Sequence, residues 1–393
     1  MDLSLIAPDC IYTEKFTESV SATSKAIFGQ GLQPEFTVKS LSPFAIQLPK
    51  FILNQIEDVT SLLETELYNT PLIHLSESRQ ELIEKVKTYP SVLMAYDFHF
   101  DSTNKKVKLI EVNTNGSGYI LCEILAQMVQ AVGIDSQNLK SLWFSFQKSF
   151  DIWNISNSVL RNIAIVDEEV QNQFMFPELL LYKRFIESND VKCSILDFDR
   201  LNFSNGKAYD LDKEEVQFIY NRYTDFEFSR PKSSQLRSAY LNHICCISPH
   251  PVDYIYQADK TRLIDLLKNE SCPERLKQHL LFSQTSDTFG DIEEIWKLRK
   301  KLFFKPPTSH GSKGVYRGNS ISRKKFEEIL KSKILVQEFL PPDKAYYEGD
   351  EWKYDIRAFV FGGKVQLCAA RVFKGQVTNF RTERSGFSHI HWI

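Results

Sequence analysis

An α/β protein of several lobes is the fold class this sequence predicts, and three observations lead there. The chain has 393 residues, beyond the roughly 100–200 of one ordinary core. Between residues 162 and 255 strand-like and helix-like runs alternate, the order that builds a small parallel sheet. On either side, at 96–118 and 353–372, alternating runs flank tight turn signals and read as antiparallel hairpins. A hydrophobic share of 42% and a charged share of 25% suit a soluble globular chain, and only 15 Gly and 15 Pro exclude collagen-like or low-complexity disorder.

The elements follow in order. Residues 1–45 are mixed. From 46 to 90 the chain reads as helical, with Phe51, Ile52, Ile56, Val59, Leu62, Leu63 and Leu67 at three- and four-residue spacing. A second helical piece is capped by Ser76 or Ser78 and stopped by Pro90. Residues 1–90 are therefore expected as an N-terminal helical segment. Residues 91–150 hold a hairpin and apolar helices, 151–255 form the α/β lobe, and 256–393 open with a helix and become strand-rich around glycine turns.

Lys+Arg 48 against Asp+Glu 50 gives a net charge of −2. No general basic field exists, so neither nucleic acid nor an anionic membrane is an expected partner. Any bound anion must be held by a local arrangement. The seven cysteines are an odd set without a CxxC pair, which suits reduced, buried thiols. The opening MDLSLIAPDC has no basic and apolar leader pattern, and no run approaches the ~18 apolar residues that span a membrane. The expected location is cytoplasmic.

Four segments carry chemistry. In YDFHFDSTNKKVKLIEVNTNGSG, pairing Asp101 with Val107 sets Phe98 opposite Ile110 and Asp97 opposite Glu111, with Asn113 two residues on and on the same face. Two carboxylates and an amide oxygen converge there, a costly arrangement unless a cation such as Mg²⁺ sits between them. The alternative is a solvated acidic edge strand. In KKLFFKPPTSHGSKGVYRG, a strand delivers Lys305 to a loop with Thr308, Ser309, Gly311, Ser312 and Gly314, and a strand follows. Glycines and hydroxyls of that kind let donors approach an anion, although a plain hairpin loop has the same look. KILVQEFLPP ends a strand at Gln337-Glu338 and leaves through two prolines, a place for an adenine edge or for an ordinary edge strand. KYDIRAFVFGGKVQLCAARV turns at Gly362-Gly363 and brings Arg357 and Arg371 near its open end. In plain register the two arginines point to opposite faces, so a bulge is needed for one site to use both. Asn379 and Arg381 follow in VTNFRTERSGF.

Taken together, these segments resemble the ATP-grasp ligases. Asp259-Lys260, Lys305, the 308–314 loop, Gln337-Glu338, Asp355-Ile356-Arg357 and Asn379-Phe380-Arg381 come in that family's order, while the Asp97, Glu111, Asn113 hairpin precedes them. That order is similar to the circularly permuted group that includes eukaryotic-type glutathione synthetase, and it covers roughly residues 45–388. The resemblance implies an ATP-grasp fold with a Rossmann-like lobe at 151–255 inserted. It implies ATP, with Lys260 and Lys305 on the phosphates, the 308–314 loop over them, and Gln337, Glu338 and the backbone near Phe339 on adenine. It implies two Mg²⁺ on Asp97, Glu111 and Asn113, and Arg357, Arg371, Asn379 or Arg381 at the transferring group. The implied activity joins a carboxylate to an amine on an amino acid, peptide or similar small substrate; a phosphotransferase or a silent nucleotide-binding module are the other readings. Arg222 and Tyr223 resemble that enzyme's substrate-binding segment, and homodimers are common in the group. The sequence departs in three respects: the loop holds Ser309-His310 where an acid is usual, GSKG stands where that enzyme has a triple-glycine run, and TNGSG after Asn113 differs. His389 and His391 in SHIHW read as part of a tail.

Overall fold

A computed structural model describes residues 3–6, 13–73, 75–85, 88–130, 136–154, 158–306, 315–376 and 378–393. Its largest sheet draws eight strands from both ends of the chain. In spatial order these are β16 (Asp343–Tyr347), β1 (Leu3–Ile6), β2 (Leu41–Leu48), β19 (Gly386–Trp392), β18 (Lys364–Phe373), β17 (Asp350–Phe361), β3 (Met94–Asp101) and β4 (Lys106–Asn113). Because β16 also pairs with the first half of β17, the sheet curls back on itself.

Residues 1–90, expected as a helical segment, therefore also supply two strands. Pro49 separates β2 from the helix over Lys50–Asn69, which has no side-chain cap at its N-terminus. Packing holds it instead: Ile52, Ile56, Val59, Leu63 and Leu67 are fully buried against one face of the sheet. Each such burial contributes about 1.5–3 kcal/mol. Ser76 does cap the next helix, Glu77–Lys85, by accepting from Arg79 N–H at 3.3 Å. The SHIHW segment is not a tail. It is the interior strand β19, and burial next to His391 pushes the His389 imidazole down to about 4.

Residues 162–248 form the expected parallel sheet, in the order β11 (Cys246–Ser248), β10 (Phe218–Asn221), β5 (Asn162–Asp167) and β6 (Lys192–Asp197). The chain runs from β5 to β6 through the helix Phe176–Glu187, then crosses to the other side of β5 for β10. The strand order thus reverses between β5 and β10, and the connections leaving their carboxyl ends part to open a crevice. A ribbon of β7 (Asn202–Ser204), β8 (Lys207–Tyr209) and β9 (Glu215–Val216) lies between β6 and β10 in sequence. The last sheet is antiparallel, in the order β12 (Ser283–Thr285), β15 (Leu335–Glu338), β13 (Leu302–Lys305) and β14 (Tyr316–Arg317), over a small core of Phe304, Phe326 and Val336.

Candidate active site

The β3–β4 hairpin is built differently from its predicted register near the turn. Asp101 pairs with Lys106 and Phe98 with Leu109, one residue away from expectation. Ile110 is then a bulge, after which Asp97 lies opposite Glu111 and Ala95 opposite Asn113. The bulge compensates for the shifted turn, so the polar face forms as predicted. A second bulge between Phe359 and Val360 shifts β17 against β18 and pairs Asp355 with Arg371 and Arg357 with Ala369. That is the irregularity needed to put both arginines on one face.

These side chains line a cavity of about 250 Å³ between the large sheet and the β12–β15 sheet. Asp97, Glu111 and Asn113 come from the hairpin, Lys260 from the turn after the crevice lobe, and Lys305, Gln337, Glu338 and Phe339 from the antiparallel sheet. Arg357 and Arg371 complete it. Asp259 anchors the turn before Lys260 by accepting from Thr261 N–H at 2.9 Å and pairing with Arg79 at 2.8 Å. Asn379 and Arg381 do not line the cavity; Asn379 donates to the Lys374 carbonyl at 3.3 Å and accepts from Arg381 N–H at 3.1 Å. Thr308, Ser309, Gly311, Ser312 and Gly314 lie outside the described residues, although β13 and β14 flank them as a hairpin.

Asp97 is already partnered. Arg357, its direct neighbour across β17 and β3, donates Nε and Nη2 to its two oxygens at 2.8 Å each, and Arg371 approaches within 3.0 Å. Arg371 in turn donates to both oxygens of Asp355 at 2.7 and 2.9 Å, and Thr378 Oγ1 donates to Asp355 at 2.5 Å. Burial alone would raise the Asp97 carboxyl, but the charges of Arg357 and Arg371 more than offset it and hold the group below its usual range. This chain of two aspartates and two arginines is neutral as a unit. Asn113 Nδ2 sits between Asp97 (3.2 Å) and, more weakly, Glu111 (3.5 Å).

Lys305 is the opposite case. It is 6% exposed and its ammonium donates to a neutral group, Gln337 Oε1, at 2.7 Å. Burial pushes its pKa down, with Glu111 acting the other way and Lys260 adding to the depression. Gln337 also donates to Ser283 Oγ at 3.2 Å, and Phe339 N–H is spent on the Lys301 carbonyl at 2.8 Å. These bonds brace the lysine and the strand exit, and both residues line the cavity. The cavity wall beside them is apolar, with Leu281, Phe303, Val315 and Phe373. His99, missed in the motif reading, lines the cavity too; its ring nitrogen Nδ1 lies 2.9 Å from the Leu340 carbonyl and ties β3 to the strand exit. The alternation that placed Asp97 and Asn113 also puts His99 on that face.

A second cavity of about 320 Å³ adjoins the first, with Asn113 and Lys260 lining both. Arg222 lines it, but its guanidinium is occupied by the TNGSG loop: it donates to the Gly116 carbonyl at 3.3 Å and Ser117 Oγ at 2.7 Å. Tyr223, the next residue, turns away and stacks on Phe198 at 4.0 Å. Gly118 has φ +103°, and a Cβ there would lie 2.4 Å from the Phe387 ring, so the loop needs glycine to sit this close. Behind it, Glu178 is buried and accepts from Gly118 N–H at 2.8 Å; burial lifts its carboxyl to about 7 against the opposing charge of Arg222.

No family model matches the sequence, and no curated protein does. Solved structures do. A glutathione synthetase-like effector from Globodera pallida, in its apo form, superposes with a TM-score of 0.54 at 12% identity, covering 97% of this chain and 98% of that one. A gamma-glutamylcysteine synthetase-like protein from Methylobacillus flagellatus gives 0.49 at 10% identity, over 86% and 88%. The ATP-grasp ligase PsnB complexed with its minimal precursor gives 0.36 at 13% identity, over 59% and 78%. The fold is a mixed α/β one of several sheets. It is similar to the fold of the glutathione synthetase-like effector along nearly the whole of both chains.

Proposed function

We propose that this chain is an ATP-dependent carboxylate–amine ligase. One observation carries the reading: four separated parts of the chain bring Lys260, Lys305, Glu111, Asn113, Arg357 and Arg371 around one cavity with an apolar wall at its side. Such a cavity suits a nucleotide, its base against Phe303, Phe373 and Leu281 and its phosphates toward the lysines. Lys305 is held by a neutral amide, so its charge is left for an incoming anion.

The oxygen donors fit magnesium in a reduced form. Mg²⁺ usually takes one or two carboxylates and fills its other positions with substrate phosphates and water. Glu111 and Asn113 would hold it, because Asp97 is committed to the two arginines. That arrangement accounts for one ion of the two expected. When bound, the ion would neutralise phosphate charge. Among the described residues no group of three His, Cys, Asp or Glu side chains is spaced to hold a metal without such help.

The chain's own residues then have distinct jobs. Lys260 and Lys305 orient the phosphates. Asp97 and Asp355 fix the guanidinium planes of Arg357 and Arg371 so that no reorganisation is needed as charge develops on the transferring phosphoryl group. A substrate carboxylate attacks the γ-phosphorus and releases ADP; an amine then attacks the acyl carbon, loses a proton and expels phosphate. The hairpin precedes the other motifs in the chain, which supports the permuted order. The six described cysteines are buried free thiols, which supports a reducing, cytoplasmic setting. Among the described residues no helix is long and apolar enough to cross a membrane.

The test measures ADP and phosphate released from ATP with Mg²⁺ across a panel of acids and amines. Ligation requires both co-substrates for phosphate release, whereas a stable phosphorylated product would make the chain a phosphotransferase. If Glu111→Ala turns over normally, the metal assignment fails.

A further inference from the structure

Lys260 lines both cavities, yet it sits at the end of an irregular turn. Residues Tyr254–Ala258 make a single π-turn, closed by Asp259 N–H donating to the Tyr254 carbonyl at 2.8 Å. Both Asp259 oxygens are then engaged. One accepts from Thr261 N–H and Oγ1 at 2.9 and 2.8 Å, and the other meets Arg79 Nη1 at 2.8 Å. The same guanidinium donates Nε and Nη2 to the two oxygens of Glu227 at 3.0 and 2.7 Å. Glu227 follows Phe226, whose ring stacks on Tyr254 at 4.7 Å. Phe226 and Tyr254 line the second cavity together with Asp167, at the end of β5. The helix that carries Arg79, Glu77–Lys85, is itself held, because its Leu82 is fully buried in the core of the parallel-sheet lobe.

We infer that Arg79 is a positioning residue for the nucleotide: through Asp259 and Glu227 it locks the turn that carries Lys260 to the loop after β10, and so sets where that ammonium meets the phosphates. The inference rests on the reading of Lys260 as a phosphate ligand, and not on ligation. Arg79 lines neither cavity, so it acts only through the turn. Its one guanidinium serves two carboxylates, which leaves the three groups at a net charge of −1 next to Lys260. Without Arg79 the turn loses its tether to the loop. Asp259, whose side chain is 4% exposed, is then left to draw on Lys260, its neighbour in the chain. A buried carboxylate so placed competes with phosphate for the lysine.

Calorimetry on the full chain compares ATP with Mg²⁺ against adenosine. Arg79→Gln is expected to weaken ATP about tenfold, as for the loss of one charged hydrogen bond. Adenosine should stay within about twofold, because only the phosphates reach Lys260. In a Lys260→Met background, Arg79→Gln should cost ATP less than about twofold more, since its effect passes through that lysine. Arg237→Gln is the control. Arg237 ties the same helix to the same loop, pairing with Glu81 at 2.8 Å and donating to the Glu227 carbonyl at 3.2 Å, with its third bond on the Ser78 carbonyl rather than on Asp259. It should keep ATP affinity even where it lowers the melting temperature as much as Arg79→Gln does. Equal losses for ATP and adenosine, a matching loss in Arg237→Gln, or a full further loss in the Lys260→Met background overturns the inference. Should Arg79→Gln fail to fold, Arg79→Lys decides on the same split, since it keeps the charge but replaces three bonding nitrogens with one. Lys260→Met judges the underlying reading separately: if it binds ATP as the unaltered chain does, Lys260 is no phosphate ligand. If it loses ATP while Arg79→Gln does not, that reading survives and this inference falls.

Discussion

The two cavities that meet at Asn113 and Lys260 are held together by different physics. The first is a charged chamber in which Asp97 and Asp355 are tied to arginines, while Lys305 leans on a neutral amide. The second is a crevice of mixed polar and aromatic lining whose shape depends on a glycine-rich loop, on an arginine used as a brace, and on an acid buried behind it. Charge that a guanidinium neutralises serves position; charge on neutral support serves as a brace at Arg222 and, in the proposed ligase, faces an anion at Lys305. The lesson is that residue type alone does not separate these two uses.

The largest effect should come from breaking the neutral unit. Arg357→Ala leaves Asp97 buried with only Arg371 beside it, and chemical denaturation should show a loss of about 3–5 kcal/mol. Lys305→Met should do the reverse. ADP release is expected to fall about 10²–10³-fold, while the melting temperature holds or rises, because a buried ammonium facing a neutral amide is costly. If Lys305→Met is destabilising, the lysine is structural and the contrast fails.

Behind the second cavity, Glu178 should make stability depend on pH. Its folded pKa of about 7 lies above the usual 4.5, so its contribution is whole below pH 4.5 and is lost as pH rises through 7. Comparing denaturation at pH 5 and pH 8, Glu178→Gln should remove on the order of 3 kcal/mol of that dependence. An unchanged pH profile would mean that Glu178 titrates as it does in the unfolded chain. The smallest change is Gly118→Ala, expected to cost about 1–3 kcal/mol through its positive φ and its overlap with Phe387. Chemical denaturation of the variant beside the unaltered chain measures that cost.

Much of the first cavity was legible because its chemistry is written in short segments. Period-two alternation put Asp97, Glu111 and Asn113 on one face, and Lys305 and Gln337 fell at strand ends. The arginines were legible only conditionally: a bulge was required, and the pairing of Asp355 with Arg371 shows it. The predicted hairpin register was one residue out at the turn, because a four-residue turn over 102–105 pairs Asp101 with Lys106, yet the Ile110 bulge restored the facing pair. The second cavity was almost invisible. Asp167 is a strand-end acid like many others, and Phe226 and Tyr254 meet only when the loop after β10 folds onto the turn before Lys260.

The sequence by itself determined which groups carry charge, which strand faces they occupy, and the order of the motifs, because those follow from covalent neighbours and from the pitch of a strand. Tertiary structure decided what each charge is for. Asp97 and Arg357 are 260 residues apart and become cross-strand neighbours only when β17 pairs with β3. Whether a buried carboxylate binds a metal or a guanidinium is settled by which opposite charge reaches it first in a medium of low dielectric, and no local pattern records that distance.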